Sequence, residues 1–144
     1  MLSQIQTRTP VANRRRGILD TSVIIDLERI APSKLPDEPL VTAISMAELA
    51  AGPQAAADST ERAIRQDRLQ RAEAAFTPLP FDDGAARAYG RIYAAIAGRG
   101  RKPRGARALD LLIASIALDL DLPLYTRNAA DVESLATLID IVAV

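Results

Sequence analysis

The sequence predicts an α/β fold in which a parallel sheet is covered by helices on both faces. Short apolar and β-branched segments alternate along the chain with longer segments of helical character. The strand-like segments are short and β-branched, as expected for parallel strands that are buried on both sides. The chain has 144 residues and no internal repeat, which indicates one domain with one hydrophobic core.

The first part of the chain predicts two strands, each followed by a helix. Residues 1–16 are polar and lack periodicity, so they predict a flexible arm ahead of a domain that spans 17–144. The elements expected next are a buried strand over 17–20, a helix over 21–30, a proline-containing loop over 31–39, a second strand over 40–44 and a short helix over 45–51. Gly52 and Pro53 are expected to stop that helix.

The second part of the chain predicts the remaining strands and helices. Residues 55–76, rich in Ala, Arg, Glu and Gln, indicate one long helix or two shorter ones. The elements expected after them are a strand-like piece with two prolines, suited to a sheet edge, over 77–81, a helix capped by Asp82 that runs to about Ala97, a glycine-rich basic loop over 98–107, an apolar helix over 108–120, a strand over 123–126, a turn and short helix over 128–138 and a last strand over 139–142.

The composition narrows the possible chemistry. The chain contains no cysteine and no histidine, which excludes disulfides, thiol nucleophiles, histidine acid–base pairs and HExxH zinc sites. Carboxylates are then the obvious catalytic resource, and clustered carboxylates favour hard cations such as Mg2+ or Mn2+. The 18 basic residues balance 18 acidic ones, so any contact with nucleic acid must use local patches. Aromatics make up only 3%, which argues against base stacking on aromatic rings.

The sequence predicts a cytoplasmic protein. Its longest apolar run, residues 111–118, is far shorter than a membrane span. The basic residues 14–16 precede a short apolar run, as in a signal peptide, but Asp20 and Asp26 interrupt that run.

Acidic residues are placed at the predicted carboxyl ends of the strands, where ligands bind in open α/β sheets. They are Asp20 after the first strand, Glu48 in the first turn of the helix after the second strand, Asp110 in the first turn of the apolar helix and Asp131 past the strand 123–126. These four acids, if they converge, would repel one another unless a cation neutralised them. A divalent ion could also activate a bound water for attack on a phosphate.

Each acid also has a purely structural interpretation. Asp20 could cap the following helix, Ser45 and Glu48 fit a capping box, and Asp131 fits ordinary turn chemistry. Asp110 is the hardest to explain in this way. Its helix is apolar on all sides, and a carboxylate in such a helix usually requires a partner.

Four segments, in order, resemble the motifs of the PIN-domain family, and in particular of its VapC-type toxins. They are residues 18–25, 44–52, 107–117 and 123–131, and each contains one of the four acids. The resemblance runs from Ile18 to the C-terminus and leaves the arm outside. One departure is Val132, which stands where the family usually has an aromatic residue. Asp131 is therefore expected to act either directly or through a water molecule.

The resemblance implies a metal-dependent endoribonuclease. The four acids would hold one or two Mg2+ or Mn2+ ions, which activate a water for attack on an RNA phosphodiester. Ser22 and Thr126 would hydrogen-bond the carboxylates as supporting groups. Asn128 would orient the last acid or contact the phosphate.

The resemblance also implies a fold and partners. The fold would be a PIN-like three-layer α/β/α domain with a short central parallel sheet of four to five strands. The partners would be the RNA substrate, a second copy in a homodimer, and a cognate antitoxin in a hetero-oligomer. The C-terminal segment of the antitoxin would wrap the toxin and cover the acidic cleft.

Two further features allow both a functional and a structural interpretation. A basic cluster before Asp110 is either a phosphate-contacting rim for RNA or a solvated loop; it consists of Arg99, Arg101, Lys102, Arg104 and Arg107. An apolar stripe at helical spacing favours a core position, with a dimer or antitoxin groove as the alternative; it consists of Tyr89, Ile92, Tyr93 and Ile96.

Other functions use similar folds. A PIN nuclease that processes RNA would need no antitoxin. A phosphoacceptor receiver domain also gathers acids at strand ends, but no lysine follows Lys102 in this chain. A haloacid dehalogenase-like phosphatase would require an aspartate at the position of Ser22. A scaffold that had lost catalysis would be expected to lack some of the four acids, and all four are present.

Overall fold

The computed structural model describes residues 15–98 and 106–144. Its helices and strands follow one another in the order β1 Arg16–Leu19, α1 Thr21–Ile25, 3-10 turns at Leu27–Arg29 and Pro32–Lys34, β2 Glu38–Leu40, α2 Ala43–Ala55, α3 Ser59–Ala75, α4 Asp83–Ala97, α5 Ala106–Leu120, β3 Leu124–Thr126, a 3-10 helix Ala129–Leu135 and β4 Ile141–Ala143. Residues 1–14 of the predicted arm and residues 99–105 of the predicted basic loop lie outside the described residues.

The four strands form one parallel sheet in the order β2-β1-β3-β4. Ile18 of β1 is paired with Leu40 of β2 and with Leu124 of β3, and Leu124 is paired in turn with Ile141 of β4. The α/β class and the number of strands are therefore confirmed. Because β1 and β3 are the central strands, residues that follow them lie in the middle of the carboxyl edge.

Side chains that alternate along β1 enter two different hydrophobic clusters. Ile18 packs with residues of α4 and α5, whereas Leu19 packs with residues of α1, α2 and α3. Helices consequently cover both faces of the sheet, as predicted from the apolar strands. Ile92 and Ile96 of α4 are buried in the first cluster, which confirms the core interpretation of their stripe. Tyr93 is 41% exposed and lies outside that core.

Helix α2 begins earlier and ends later than the sequence predicted. The predicted strand over 40–44 is wrong at both ends: β2 begins at Glu38, inside the predicted loop, and shares only Leu40 with the prediction, because Thr42 caps α2 and accepts the backbone N–H of Ser45 at 3.2 Å. The predicted capping box at Ser45 and Glu48 is therefore also wrong. Helix α2 continues through Pro53 to Ala55.

Two arginines of α3 satisfy backbone carbonyls at the end of α2. Arg65 donates to the carbonyl of Gly52 at 3.0 Å, and Arg62 donates to that of Pro53 at 3.3 Å. These long-range bonds compensate for groups left unpaired near a helix end. They explain why Gly52 and Pro53 did not stop the helix where their local preferences indicated.

Two other elements differ from the sequence prediction in extent. The predicted helix over 21–30 ends at Ile25 and is followed by a 3-10 turn. The predicted edge strand over 77–81 is reduced to one isolated bridge between Leu79 and Thr42. The cap at Asp82 is confirmed, since its side chain accepts the N–H of Ala85 at 3.0 Å.

Within the described residues, no helix has both the length and the apolar character that a membrane span requires.

Candidate active site

Asp20 occupies the centre of the carboxyl edge, directly after β1. Its side chain is the N-cap of α1: Oδ1 accepts the backbone N–H of Val23 at 3.1 Å and the hydroxyl of Ser22 at 2.5 Å. The capping interpretation of Asp20 is thus confirmed. Capping leaves one carboxylate oxygen available, because both hydrogen bonds reach Oδ1 and no described residue donates a hydrogen bond to Oδ2. Asp20 is 9% exposed, so this oxygen is held in a nearly buried position.

Glu48 reaches the same edge from the middle of α2. It is the sixth residue of that helix rather than part of its first turn, as the sequence had predicted. Its Oε1 accepts the hydroxyl of Thr21 at 2.7 Å, and the Oγ1 of Thr21 lies 2.9 Å from the Oγ of Ser45. Sequence analysis missed Thr21. The only available signal was its position beside Asp20 at the junction of a strand and a helix.

Asp110 is half-buried in the second turn of α5, not in the first turn as predicted, because the helix begins at Ala106. The pKa of its carboxyl is raised to about 6, mainly by burial and in addition by repulsion from Asp20, Glu48 and Asp131, while Arg107 partly opposes the shift. Repulsion of this kind requires proximity. The structure therefore places Asp20, Glu48 and Asp131 within electrostatic reach of Asp110, although the four acids come from four different elements.

Asp131 is the fourth acid of this edge and is exposed to solvent. It lies in the 3-10 helix after β3, and its backbone N–H donates to the carbonyl of Asn128 at 3.0 Å. The Oγ1 of Thr126 accepts the backbone N–H of Asn128 at 3.0 Å. Thr126 and Asn128 thus shape the turn that carries Asp131. Among the described contacts, Thr126 bonds that backbone rather than a carboxylate.

Ser22 connects the ends of the two central strands. It donates to Asp20, as described above, and its Oγ accepts the backbone N–H of Arg127 at 3.1 Å. Arg127 also forms an ion pair with Asp26, at 3.4 Å between Nε and Oδ2. These contacts tie the turn after β3 to α1, so the predicted contact between Ser22 and a carboxylate is present.

The donor set is suited in its chemistry to a hard divalent cation. Every acidic ligand offers oxygen, and Asp20 and Glu48 are each fixed through one carboxylate oxygen only. In the part of the chain that the structure describes, no three acidic side chains lie close enough to share one ion. Mutual repulsion favours such an open spacing when no cation offsets it.

Of the basic residues proposed to contact RNA, only Arg107 lies within the described part of the chain. It precedes Asp110 by three residues on α5, is partly buried and lowers the pKa of the Asp110 carboxyl. Positive charge therefore borders the acidic edge at this point. The other four residues of the cluster are Arg99, Arg101, Lys102 and Arg104, which lie outside the described residues.

The fold agrees with a comparison against protein families. The family model described as PIN domain matches residues 17–133, and the chain therefore belongs to the PIN-domain family. This membership confirms the predicted fold and excludes the receiver-like signalling module. The chain is accordingly an enzyme of the nuclease class.

Individual relatives narrow the position of the chain within the family. The chain is 37% identical over 123 residues to "Ribonuclease VapC5" of Mycobacterium tuberculosis, which covers 83% of this chain and 85% of that protein. It also matches a solved structure of VapBC-5, a member of the VapBC family of toxin–antitoxin systems from the same organism. That match has a TM-score of 0.72 and 34% identity, over 90% of this chain and 99% of the other. Within the PIN-domain family, the chain thus groups with the VapC ribonucleases.

More distant structures share the fold. FitAcB from Neisseria gonorrhoeae matches with a TM-score of 0.66 and 24% identity, over 86% of this chain and 94% of the other. DNA-bound VapBC from Salmonella typhimurium matches with a TM-score of 0.69 and 22% identity, over 88% and 96%. At these identities the likeness extends to the fold alone.

Proposed function

We propose that this protein is a divalent-metal-dependent endoribonuclease that hydrolyses RNA and acts as the toxin of a toxin–antitoxin pair. The observation that carries this proposal is the placement of Asp110, which is half-buried and within electrostatic reach of three other acids, so that burial first, and then repulsion from those acids, raises its pKa to about 6. Gathering like charges at the carboxyl edge of the sheet costs stability. Groups with perturbed pKa values cluster at functional sites. A relative named as a ribonuclease supports RNA as the substrate.

Asp20, Glu48 and Asp110 would hold one or two Mg2+ or Mn2+ ions, with Asp131 contributing directly or through a water molecule. When bound, such an ion lowers the pKa of a coordinated water and balances charge on a phosphate. The protein's own residues fix the ligands. Ser22 and the N–H of Val23 orient Asp20, and the raised pKa of Asp110 keeps a proton on it at mildly acidic pH.

RNA would approach along the basic side of the acidic edge. Because its net charge is zero, the protein as a whole does not attract RNA. Local basic side chains must therefore provide the attraction. Arg107 borders Asp110 in the structure, and the cluster of Arg99, Arg101, Lys102 and Arg104 lies directly before it in sequence. These residues would contact phosphates and would not read bases.

An antitoxin would be anchored in an apolar groove between α1 and α3, and its C-terminal segment would wrap the enzyme and cover the acidic edge. The groove has a volume of about 540 Å³ and is lined by apolar residues that include Ile25, Ile64 and Phe76. Ile25 is 46% exposed and Ile64 is 49% exposed. Exposed apolar patches of this kind mark protein-interaction sites, and the solved VapBC relative is described as a member of a toxin–antitoxin family. We further propose that the toxin forms homodimers, and hetero-oligomers with its antitoxin.

Cleavage of a mixed RNA pool by the purified, antitoxin-free protein tests the proposed activity. Cutting is expected with Mg2+ or Mn2+, and is expected to disappear with EDTA and in Asp20→Asn. Asparagine caps a helix as well as aspartate does, so this variant removes the charge but keeps the cap of α1. Asp58→Asn is the matched control, since Asp58 caps α3 in the same way at an exposed position. Cutting that survives both EDTA and Asp20→Asn would overturn the proposal.

A neighbouring reading frame distinguishes the toxin from an RNA-processing PIN nuclease. The toxin requires a small protein that binds it and stops cleavage, and an RNA-processing enzyme does not. Co-purification of the two proteins, followed by recovery of cleavage when the smaller one is removed, is the expected result. A gene without such a neighbour, together with unrestrained activity in the cell, would favour the processing enzyme.

A further inference from the structure

We infer that Thr21 is a positioning residue that fixes the carboxylate of Glu48, with Ser45 holding Thr21 in place. This inference rests on the proposed metal-dependent function. Thr21 is the first residue of α1, and its hydroxyl lies 2.7 Å from Oε1 of Glu48 and 2.9 Å from the hydroxyl of Ser45. The three side chains form a chain of hydrogen bonds from α2, through α1, and back to α2.

The direction of these hydrogen bonds follows from the chemistry of the groups. An ionised carboxylate only accepts, and each hydroxyl has a single proton. Thr21 must therefore donate its proton to Glu48. Its oxygen is then left to accept, so Ser45 donates to Thr21. Hydrogen bonds arranged in one direction polarise one another, and a bond to a charged acceptor is stronger than one between neutral groups.

Burial makes this hydrogen-bond chain hard to replace with water. Ser45 is fully buried and Thr21 is 8% exposed. The backbone of Ser45 is itself fixed, because its N–H donates to the side chain of Thr42. Thr21 is β-branched, which restricts its first side-chain torsion. Loss of the Thr21 hydroxyl would therefore leave Glu48 with a buried apolar neighbour and free to change rotamer.

The first turn of α1 thus orients two acids of the site. Ser22 bonds one oxygen of Asp20, and Thr21 bonds one oxygen of Glu48. No other hydrogen bond from the described residues reaches either carboxylate, apart from the Val23 N–H that reaches Asp20 at the same oxygen as Ser22. The remaining oxygens, Oδ2 of Asp20 and Oε2 of Glu48, are the ones available to a cation. Two adjacent residues, Thr21 and Ser22, therefore set the relative placement of two ligands that are 28 positions apart.

Binding of Mn2+ to the purified full chain tests this inference without relying on cleavage. Free Mn2+ is measured by electron paramagnetic resonance during titration, for the wild type, Thr21→Val, Thr21→Ser and Ser45→Ala. Thr21→Val keeps the shape and removes the hydroxyl, so it is expected to weaken Mn2+ binding by about tenfold, as for other groups that orient metal ligands. Thr21→Ser keeps the donor and is expected to stay close to the wild type. Ser45→Ala is expected to give an intermediate loss.

Two controls separate positioning from a general effect on folding. Ser115→Ala removes another buried hydroxyl, which bonds only the carbonyl of Leu111 in its own helix, and it should leave Mn2+ affinity unchanged. In a Glu48→Gln background, Thr21→Val should change Mn2+ affinity by less than about twofold, because groups that act through one another are not additive. Thermal unfolding of each variant checks that it is folded.

The outcomes distinguish this inference from the proposed function. If the wild type binds Mn2+ and cleaves RNA but Thr21→Val binds as tightly as the wild type, the positioning role is wrong and the nuclease stands. The same conclusion follows if Thr21→Val loses tenfold even beside Glu48→Gln. If the wild type neither binds Mn2+ nor cleaves RNA with it, the proposed function fails, and the inference with it.

Discussion

The hydroxyl of Ser22 lies 2.5 Å from Oδ1 of Asp20. On its other side, the same hydroxyl accepts the backbone N–H of Arg127, so one small side chain connects the ends of β1 and β3. The two contacts are compatible, because a serine hydroxyl can donate once and accept twice. Ser22 therefore links the orientation of the central carboxylate to the turn that carries Asp131.

Ser22→Ala is expected to lower kcat/KM for RNA cleavage by about tenfold, since Asp20 would keep only its backbone hydrogen bond. The stability of the fold should change by no more than about 1 kcal/mol, because the part-buried bond to Asp20 is lost while the exposed N–H of Arg127 can bond water instead. Steady-state cleavage of a labelled oligoribonucleotide measures the first effect, and urea denaturation measures the second. Ser33→Ala, at an exposed position in a 3-10 turn, is the control. Equal activity of the two variants would contradict a role for Ser22.

The stability of the metal-free protein is expected to depend on the ionisation of Asp110. The pKa of this carboxyl rises from its ordinary value of 3.8 to about 6 in the folded chain, so the folded state binds more protons than the unfolded state between these values. Stability therefore falls as pH rises from about 4 to about 6, and the loss is complete above that window. The half-buried position reduces the effect by solvent screening, to on the order of 1 kcal/mol.

Asp110→Asn isolates this contribution. Measured by urea denaturation in EDTA, the variant should be less sensitive to pH between 4 and 6 than the wild type, and more stable than the wild type at pH 7. It should also be inactive, because a carboxylate of the site is gone. Addition of Mn2+ at pH 7 should stabilise the wild type and leave the variant nearly unchanged. A pH profile identical to that of the wild type would contradict the raised pKa of Asp110.

The apolar groove between α1 and α3 gives a prediction about the antitoxin. Ile64→Asp places a charge in the groove and is expected to weaken binding of the protein encoded beside this gene by at least about tenfold, as for other central interface residues. RNA cleavage by the free variant should be unaffected, because Ile64 lies on α3, away from the acids. Leu120→Asp is the matched control: Leu120 is 43% exposed, similar to Ile64, but lies at the end of α5 and outside the groove. Isothermal titration measures the affinity of the two variants for the antitoxin. A larger loss of affinity in Leu120→Asp than in Ile64→Asp would exclude the groove as the binding site.

The basic cluster before Asp110 predicts how the affinity for RNA depends on salt concentration. With EDTA present to prevent cleavage, Arg107→Gln should reduce the slope of log affinity against log salt for single-stranded RNA by about 0.7, the value for one phosphate contact. Arg91→Gln, at an exposed position on α4, should leave the slope unchanged. Fluorescence anisotropy at several KCl concentrations provides the measurement. An unchanged slope in Arg107→Gln would remove this residue from the interface.

The sequence predicted the fold well where local pattern and tertiary structure agree. Strands β1 and β3 were predicted close to their observed bounds because apolar side chains pack against both faces of the sheet, as Ile18 and Leu19 illustrate. The bounds of α2 were wrong because distant groups override local preference. Thr42 caps the helix, and Arg62 and Arg65 stabilise its end from α3. Sequence spacing alone does not show contacts of this kind.

The candidate site was predictable in its acids and not in its supporting groups. Acids at the ends of predicted strands are visible in the sequence, and topology then brings them to one edge. The bond between Thr21 and Glu48 joins residues 27 positions apart, and neither residue type nor spacing indicates it. Asp110 was assigned to a first turn because the helix was expected to start at 108 instead of Ala106. Burial and its acidic neighbours raise its pKa, whereas a place in the first turn would favour the charged carboxylate through the helix dipole.

Gly17 gives a prediction that is independent of the catalytic chemistry. A Cβ atom at this position would lie 2.8 Å from Cδ1 of Tyr125 and would contact the ring even more closely at Cε1. Tyr125 is fully buried on the neighbouring strand β3, so its ring has little room to move. Gly17→Ala is therefore expected to destabilise the fold by about 1–3 kcal/mol, as for other overpacked cores.

Gly90 provides the opposite case within the same chain. It lies inside α4, and a Cβ atom there would meet no atom within 4 Å. Gly90→Ala should therefore stabilise the protein by about 0.5–1 kcal/mol, because alanine restricts the unfolded chain and favours the helix. Urea denaturation midpoints of both variants provide the measurement, with cleavage assays showing that Gly90→Ala remains active. If Gly17→Ala were as stable as the wild type, the ring of Tyr125 could not be the close neighbour that requires glycine at the start of β1.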